Sequence, residues 1–327
     1  MQRFIISIGC IVIGLVLGAR LKQYDARVRK LESNTPPRYI AFIRSASMLC
    51  LNPILMCLVF WIADWSKMKM LAVPVLGVGA LISGGALGIL YSKISKLDNK
   101  RAGSLFSVSS FSNLGTACGL VCYMFFGEIG VVYVTMYKLL EEMYYYMVGF
   151  PIVHMYGSEG ESFNRKAMLR KIITDPYVLL YLAAFIIGTS LNLFGVKRPA
   201  AFGGISEFLI VFNSLLLVTA VGYTMRLNKI GKYWKECVCT AAIKFILVPA
   251  IVISAALLLG FRHEGDGILF MVLVVVSFAP PAFNSLIAPQ IYGLDIDLAN
   301  SCWVICNVVF LFLVVPLLAL VLNARLL

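Results

Sequence analysis

The chain has 327 residues, of which 61% are hydrophobic and 13% charged, and its formal net charge is +12. A soluble domain is about 45–50% apolar and about 25% charged, so this composition excludes a water-soluble globule. The same hydrophobicity excludes an intrinsically disordered chain. The class that remains is an integral membrane protein.

Ten apolar segments follow one another along the chain, each near the roughly 20 residues that cross a bilayer. They lie at 4–21, 40–62, 69–91, 104–126, 129–153, 174–195, 203–225, 237–260, 267–291 and 299–322. The longest connections, 22–39 and 154–173, are charged. We therefore predict an all-α integral membrane protein with ten transmembrane helices.

Basic residues are distributed unevenly between alternate connections. Eighteen of the 28 Lys and Arg residues lie on the side that holds loop 154–173, and seven lie on the other side. Because loops rich in positive charge stay in the cytoplasm, we expect a multi-pass protein of the plasma membrane with this loop inside and both termini outside. Membrane orientation explains the basic excess, so lipid is the expected partner and nucleic acid is not.

The two halves of the sequence share short motifs in the same order, offset by 161 to 175 residues. The matched pairs are Asn52-Pro53 with Asn213-Ser214, Val73-Pro74 with Val248-Pro249, Phe126-Gly127 with Tyr292-Gly293, and Phe150-Pro151 with Val315-Pro316. We predict a first five-helix repeat at 1–153, the connecting loop at 154–173 and a second repeat at 174–327. Since five is odd, the second repeat is inverted, as in many secondary transporters.

Span nine carries two adjacent prolines, Pro280 and Pro281, halfway through an apolar run. Proline lacks an amide hydrogen and clashes with the preceding turn, so the helix must break or kink here. Broken backbone in a membrane needs partners from protein or a wet cavity. We expect a functional break with Asn284 and Ser285 beside it; an ordinary proline kink is the alternative.

Span four holds the corresponding place in the first half, with Ser112-Asn113-Leu114-Gly115-Thr116 at its centre. Glycine and hydroxyl residues weaken a helix and let another backbone approach. We expect Asn113 and Asn284 to face each other where two broken helices cross. Amide groups at the starts of half-helices favour an anion there.

These motifs resemble those of the auxin efflux carrier family. The resemblance is carried by Asn113-Leu114-Gly115 and by the run from Ala279 to Ala288, and it extends over essentially the whole chain. The family includes plant auxin exporters and bacterial carriers for malate and malonate, and this chain is similar to the bacterial type. Family membership would imply an inverted 5+5 fold in which broken helices four and nine cross and form the binding site. It would also imply a homodimer, and alternating access by a transport domain of spans three to five and eight to ten.

The resemblance transfers binding roles only to Asn113, Pro281 and Asn284. Span four has Leu120-Val121 where the family usually has a proline, so the crossing is either looser or supported by Gly115 and Gly119. The short loop 154–173 lacks the long insert of many plant members, which makes auxin a poorer candidate substrate.

Four more polar residues within the spans are candidate site residues. Asn52 either lines the pocket from span two, as the resemblance implies, or makes an interhelical hydrogen bond worth about 1 kcal/mol. Lys138, Glu141 and Glu142 lie midway along span five, and intramembrane charges indicate function by default. We hypothesise that one of the two Glu residues is protonated and couples proton movement to transport; a buried structural ion pair is the alternative.

The sequence as a whole predicts a secondary transporter for a small organic anion and favours a carboxylate. The alternatives are a sodium- or proton-coupled symporter of the bile-acid symporter type and, more remotely, an intramembrane enzyme or a sensor. The sequence has no GxSxG, no HExxH and no paired catalytic aspartates, and its nine cysteines form no CxxC motif. We expect no enzymatic activity, no cofactor and no metal site.

Overall fold

The computed structural model of the chain describes residues 2–28, 37–64, 68–157, 174, 176–224, 230–263 and 266–323. Every regular element among these residues is a helix. The helices are α1 (Gln2–Val28), α2 (Arg38–Phe60), α3 (Val73–Ile94), α4 (Asn99–Ser110), α5 (Leu114–Phe126), α6 (Glu128–Tyr137), α7 (141–157), α8 (Pro176–Leu193), α9 (Ala201–Thr224), α10 (Gly231–Leu258), α11 (Ile268–Ser277), α12 (Asn284–Ile291) and α13 (Ile296–Leu322). Most of loop 154–173 lies outside the described residues.

Five helical stretches are long and apolar enough to cross a membrane by length and composition. They comprise α2, α3 with the turn before it, α9, α10 and α13. Helix also occupies the other five predicted segments, and three of these are interrupted. The breaks in segments four and nine were predicted, whereas the one in segment five, at residues 138–140, was not. Ten crossings in an inverted repeat remain a prediction.

Four helices widen by one residue shortly before a proline. In each, a five-residue π-helical turn ends two positions before Pro53, Pro151, Pro249 or Pro316. Proline cannot donate the usual hydrogen bond, and its ring clashes with the carbonyl four residues earlier. A π turn relieves that clash while the helix continues. These prolines belong to the motifs that indicate the repeat.

The described chain divides into two compact units that are not its two sequence halves. Unit 1 comprises residues 1–66, 119–135 and 173–225, and unit 2 comprises 67–118, 136–172 and 226–327. Unit 1 thus holds spans one, two, six and seven, together with the end of span four, the start of span five and the connection between them. Unit 2 holds span three, spans eight to ten and the remainder of spans four and five.

Unit 1 is built around α1, which packs along α9, and α8, which packs on α2. The connection between spans four and five is attached to this unit by an ion pair. Arg198 donates to both carboxylate oxygens of Glu128, at 2.5 and 2.7 Å, and this bond raises the pKa of the arginine. A bidentate, half-buried pair is stronger than a solvent-exposed one, so it fixes this connection firmly.

Unit 2 is held together by close helix contacts and an aromatic cluster. At Gly77 of α3, an added Cβ would collide with the carbonyl oxygen of Tyr137, as expected if the glycines of span three serve helix packing. Phe111 packs against the rings of Tyr145 and Phe150, with centroids 4.5 and 5.7 Å away. This cluster adjoins the break in segment four and limits how its backbone can move.

Candidate functional site

The two central breaks meet through their backbones. The amide of Asn113 donates to the carbonyl of Pro280 at 2.7 Å, and the amide of Ala282 donates to the carbonyl of Phe111 at 3.1 Å. These two hydrogen bonds pair Ser112 with Pro281 in an isolated antiparallel bridge. Residues 111–113 and 280–282, called the paired breaks below, therefore form a short two-stranded contact inside unit 2.

The residue types explain why the chain pairs in this way. Pro280 and Pro281 carry no amide hydrogen, so this strand has fewer donors to satisfy at membrane depth. The facing strand has no proline, and its amides must find acceptors. Asn113 finds one in Pro280, and the amide of Ser112 lies 3.4 Å from the hydroxyl oxygen of Tyr145.

Lys244 of α10 supports the carbonyl side of this contact. Its side chain is 2% exposed, and its ammonium donates to Ser112 Oγ at 2.8 Å and to the carbonyl oxygens of Phe111 and Ser110 at 3.2 and 3.3 Å. The last carbonyls of α4 form the negative end of that helix, which favours a cation. A buried lysine thus stabilises the break.

Two more buried side chains complete the support. Tyr145 donates to the carboxylate of Glu141, and its hydroxyl also lies 3.3 Å from the carbonyl oxygen of Ser112. On the other strand, Asn307 Nδ2 contacts the carbonyl oxygen of Pro281 at 3.4 Å. Side chains from α7, α10 and α13 thus support the paired breaks, and the expectation of a looser crossing or of support from Gly115 and Gly119 stays a prediction.

The structure places both predicted asparagines at helix starts. Asn113 directly precedes α5, and its side-chain oxygen lies 3.4 Å from the amide of Ala117. Asn284 is the first residue of α12. Both are half-buried, and Gly115 in the first turn of α5 is exposed. The paired breaks bring these two helix starts to the same part of unit 2.

Two other predicted site residues have local structural contacts. Ser285 is fully buried, and its hydroxyl donates to the carbonyl of Ala282 at 2.6 Å, which stabilises the start of α12. In unit 1, Asn52 accepts a hydrogen bond of 2.7 Å from Asn213. This bond is the structural alternative considered for Asn52, and a role for Asn52 in binding remains a prediction.

The three charged residues of segment five lie at and just after the turn at 138–140 that interrupts this segment. Lys138 is half-buried in the turn at 138–140, and the next helix begins with Glu141 and Glu142. Glu141 is 9% exposed and bonds to Tyr145, so this carboxylate is linked to the paired breaks through one side chain. Glu142 is half-buried.

Sequence reasoning did not assign Lys244, Tyr145 or Asn307 to the site. A lysine within an apolar span was a usable signal for Lys244. No comparable signal marked Tyr145 or Asn307, since polar side chains within spans are more often packing contacts. Among the described residues, no three His, Cys, Asp or Glu side chains come together as metal ligands.

Comparison with known proteins identifies the kind of molecule that carries this site. The family model described as "Membrane transport protein" matches residues 48–318. The chain belongs to this family. It is the auxin efflux carrier family that the motifs resemble. As a member of this family, the chain is a membrane transporter. The comparisons support neither an intramembrane enzyme nor a symporter of the bile-acid type.

One curated relative of this family member is an uncharacterized transporter of Methanothermobacter thermautotrophicus. The two proteins are 23% identical over 241 residues, which cover 73% of this chain and 75% of the relative. The similarity therefore extends across most of both transporters.

Proposed function

We propose that this protein is a secondary transporter that moves a small organic anion, a carboxylate, across the cytoplasmic membrane by alternating access. The observation that carries the proposal is the pair of half-buried asparagines, Asn113 and Asn284, at helix starts beside the paired breaks. Helix starts and amide side chains both donate hydrogen bonds to a carboxylate. In this proposal α5 and α12 belong to broken helices that cross within a 5+5 inverted repeat.

A transport assay with a panel of substrates tests this function. The purified protein is reconstituted in proteoliposomes, and uptake of mono- and dicarboxylates is measured with and without pH and sodium gradients. We expect saturable uptake of at least one carboxylate, and no uptake of its neutral amide. Transport confined to neutral or cationic solutes would contradict the proposal.

Glu141 favours proton coupling as part of this function. Its buried carboxylate meets Tyr145, which in turn meets Ser112 of the paired breaks. The titratable groups that interact with Glu141 are Lys138, Glu142, Tyr137, Tyr145, Cys118 and Lys244. Protonation of Glu141 would weaken its bond with Tyr145, because a neutral carboxyl is the poorer acceptor. Such a change would reach the paired breaks through Tyr145.

The proposed moving part, oligomeric state and membrane orientation are those that the family resemblance and the basic residues suggest. We propose that residues of unit 2 form the moving part and that the protein assembles as a homodimer through a scaffold of spans one, two, six and seven. The uneven distribution of basic residues supports both termini outside and loop 154–173 in the cytoplasm. The helix-lined site and the absence of a nucleotide-binding motif support transport driven by gradients.

A further inference from the structure

Lys138 lies against the exposed start of α5. A Cβ atom added at Gly115 would be 3.1 Å from the Lys138 ammonium nitrogen. Gly115 belongs to the first turn of α5, directly after the paired breaks. A cation thus stands beside the place where Asn113 begins the helix.

The position of this charge is unusual in electrostatic terms. The start of a helix carries a partial positive charge, so a cation there is unfavourable, while a cation at the helix end is favourable. Lys244 has the favourable arrangement, because it meets the last carbonyls of α4. Lys138 adds positive charge to the positive end of α5. The two effects together favour an anion at this place.

Two carboxylates lie close to Lys138 in the sequence. Glu141 and Glu142 follow Lys138 by three and four residues and balance part of its charge. Glu141, however, is buried and bonds to Tyr145. The charge of Lys138 thus acts on Glu141, while its ammonium lies beside the exposed backbone of Gly115.

We propose that Lys138 determines the charge selectivity of the transporter: its ammonium binds a carboxylate of the substrate beside Gly115, at the start of α5. This inference rests on the proposed transport of an organic anion and assigns the residue that selects for the charge. Asn113 and Asn284 then contribute neutral hydrogen bonds, and Lys138 distinguishes an acid from its amide.

Binding measurements on purified protein test this role. For a carboxylate that the wild type binds, Lys138→Gln should raise the Kd by about 10- to 100-fold, as expected for a lost charge-assisted hydrogen bond. The ratio between the Kd of the amide and the Kd of the acid should become smaller. Lys138→Arg should retain most of that preference. Lys93→Gln, at an exposed position of α3, is the matched control and should bind like the wild type.

A second variant keeps the test independent of folding at position 138. Gly115→Ala puts a methyl group in the space beside the ammonium, and we expect a loss of carboxylate affinity of about 10-fold with the amide little affected. Gly79→Ala, where an added Cβ meets nothing within 4 Å, is the control. Unchanged acid-over-amide preference in both Lys138→Gln and Gly115→Ala would overturn the role.

A structural role for Lys138 makes a different prediction. If the lysine only balances a glutamate, Lys138→Gln combined with Glu141→Gln or Glu142→Gln should recover wild-type affinity, which would also overturn the proposal. Failure of the proposed function is distinguishable, since the wild type itself would then bind no carboxylate of the panel.

Discussion

Asn113 and Asn284 are neutral side chains at helix starts, and this combination suits an anion that must later be released. Amide groups donate hydrogen bonds to a carboxylate without the strong attraction of a full charge. Ser285 lies next to Asn284, yet its hydroxyl is already bonded to Ala282. Residue type alone therefore does not separate the binding side chain from the supporting one.

This difference yields the first prediction. Asn113→Ala and Asn284→Ala should each reduce carboxylate uptake in proteoliposomes by at least about 10-fold, because each removes a donor worth about 1.5–3 kcal/mol to a charged ligand. Both variants should purify as folded protein, since neither side chain is fully buried. Ser285→Ala should instead lower thermal stability with uptake largely retained. Wild-type uptake by both asparagine variants would remove these residues from the site.

The candidate site could be predicted from sequence only where a residue type indicates a break in a helix. Pro280 and Pro281 forced a break, and Asn113 and Asn284 were found because they lie beside breaks at matching places. Lys244 and Tyr145 were missed because their roles depend on which distant strand they reach. A single sequence carries no information on that contact.

The π turns help to explain where the side chains of Tyr145 and Lys244 point. Tyr145 begins the turn before Pro151, and Lys244 lies in the turn before Pro249. Each extra residue rotates the preceding part of the helix by about 100° relative to the part that follows. The prolines visible in the sequence thus set the direction of side chains several residues earlier, which periodicity alone does not predict.

A double-mutant cycle on α10 tests this coupling between proline and lysine. Lys244→Met should lower the free energy of unfolding by about 3 kcal/mol, because it removes three hydrogen bonds that a buried ammonium donates to residues 110–112. Pro249→Ala should have a similar effect, since a regular helix turns Lys244 away. The loss of unfolding free energy in the double mutant, measured by thermal or chemical unfolding in detergent, should then be smaller than the sum of the two single losses by at least about 0.5 kcal/mol.

The chain supplies its own controls for that cycle. Pro316 also follows a π turn, but this turn contains only apolar residues, so Pro316→Ala should add to Lys244→Met without coupling. Lys235→Met removes an exposed lysine of the same helix and should leave stability nearly unchanged. Full additivity of Pro249→Ala with Lys244→Met would show that the proline does not position the lysine.

At the scale of the whole molecule, composition and hydropathy predicted an all-helical membrane protein, and the family match confirms a membrane transporter. The division into compact units was harder to predict from the sequence. The connection between spans four and five packs with unit 1 through Arg198 and Glu128, although these residues are 70 positions apart. Long-range ion pairs of this kind leave no periodic trace in a sequence.

The transport cycle as a whole provides the last prediction, which concerns proton coupling. In proteoliposomes, wild-type carboxylate uptake should respond to an imposed pH gradient, and Glu141→Gln should abolish that response, because glutamine cannot exchange a proton and fixes the neutral form. Glu142→Gln should weaken the response less, because Glu141 is the carboxylate that bonds to Tyr145. Glu207→Gln in unit 1, whose partner is Arg3 at 2.6 Å, serves as the control for loss of a carboxylate. If Glu141→Gln and Glu142→Gln both retain the wild-type response, the carboxylates of segment five are structural, and transport is coupled elsewhere or not at all.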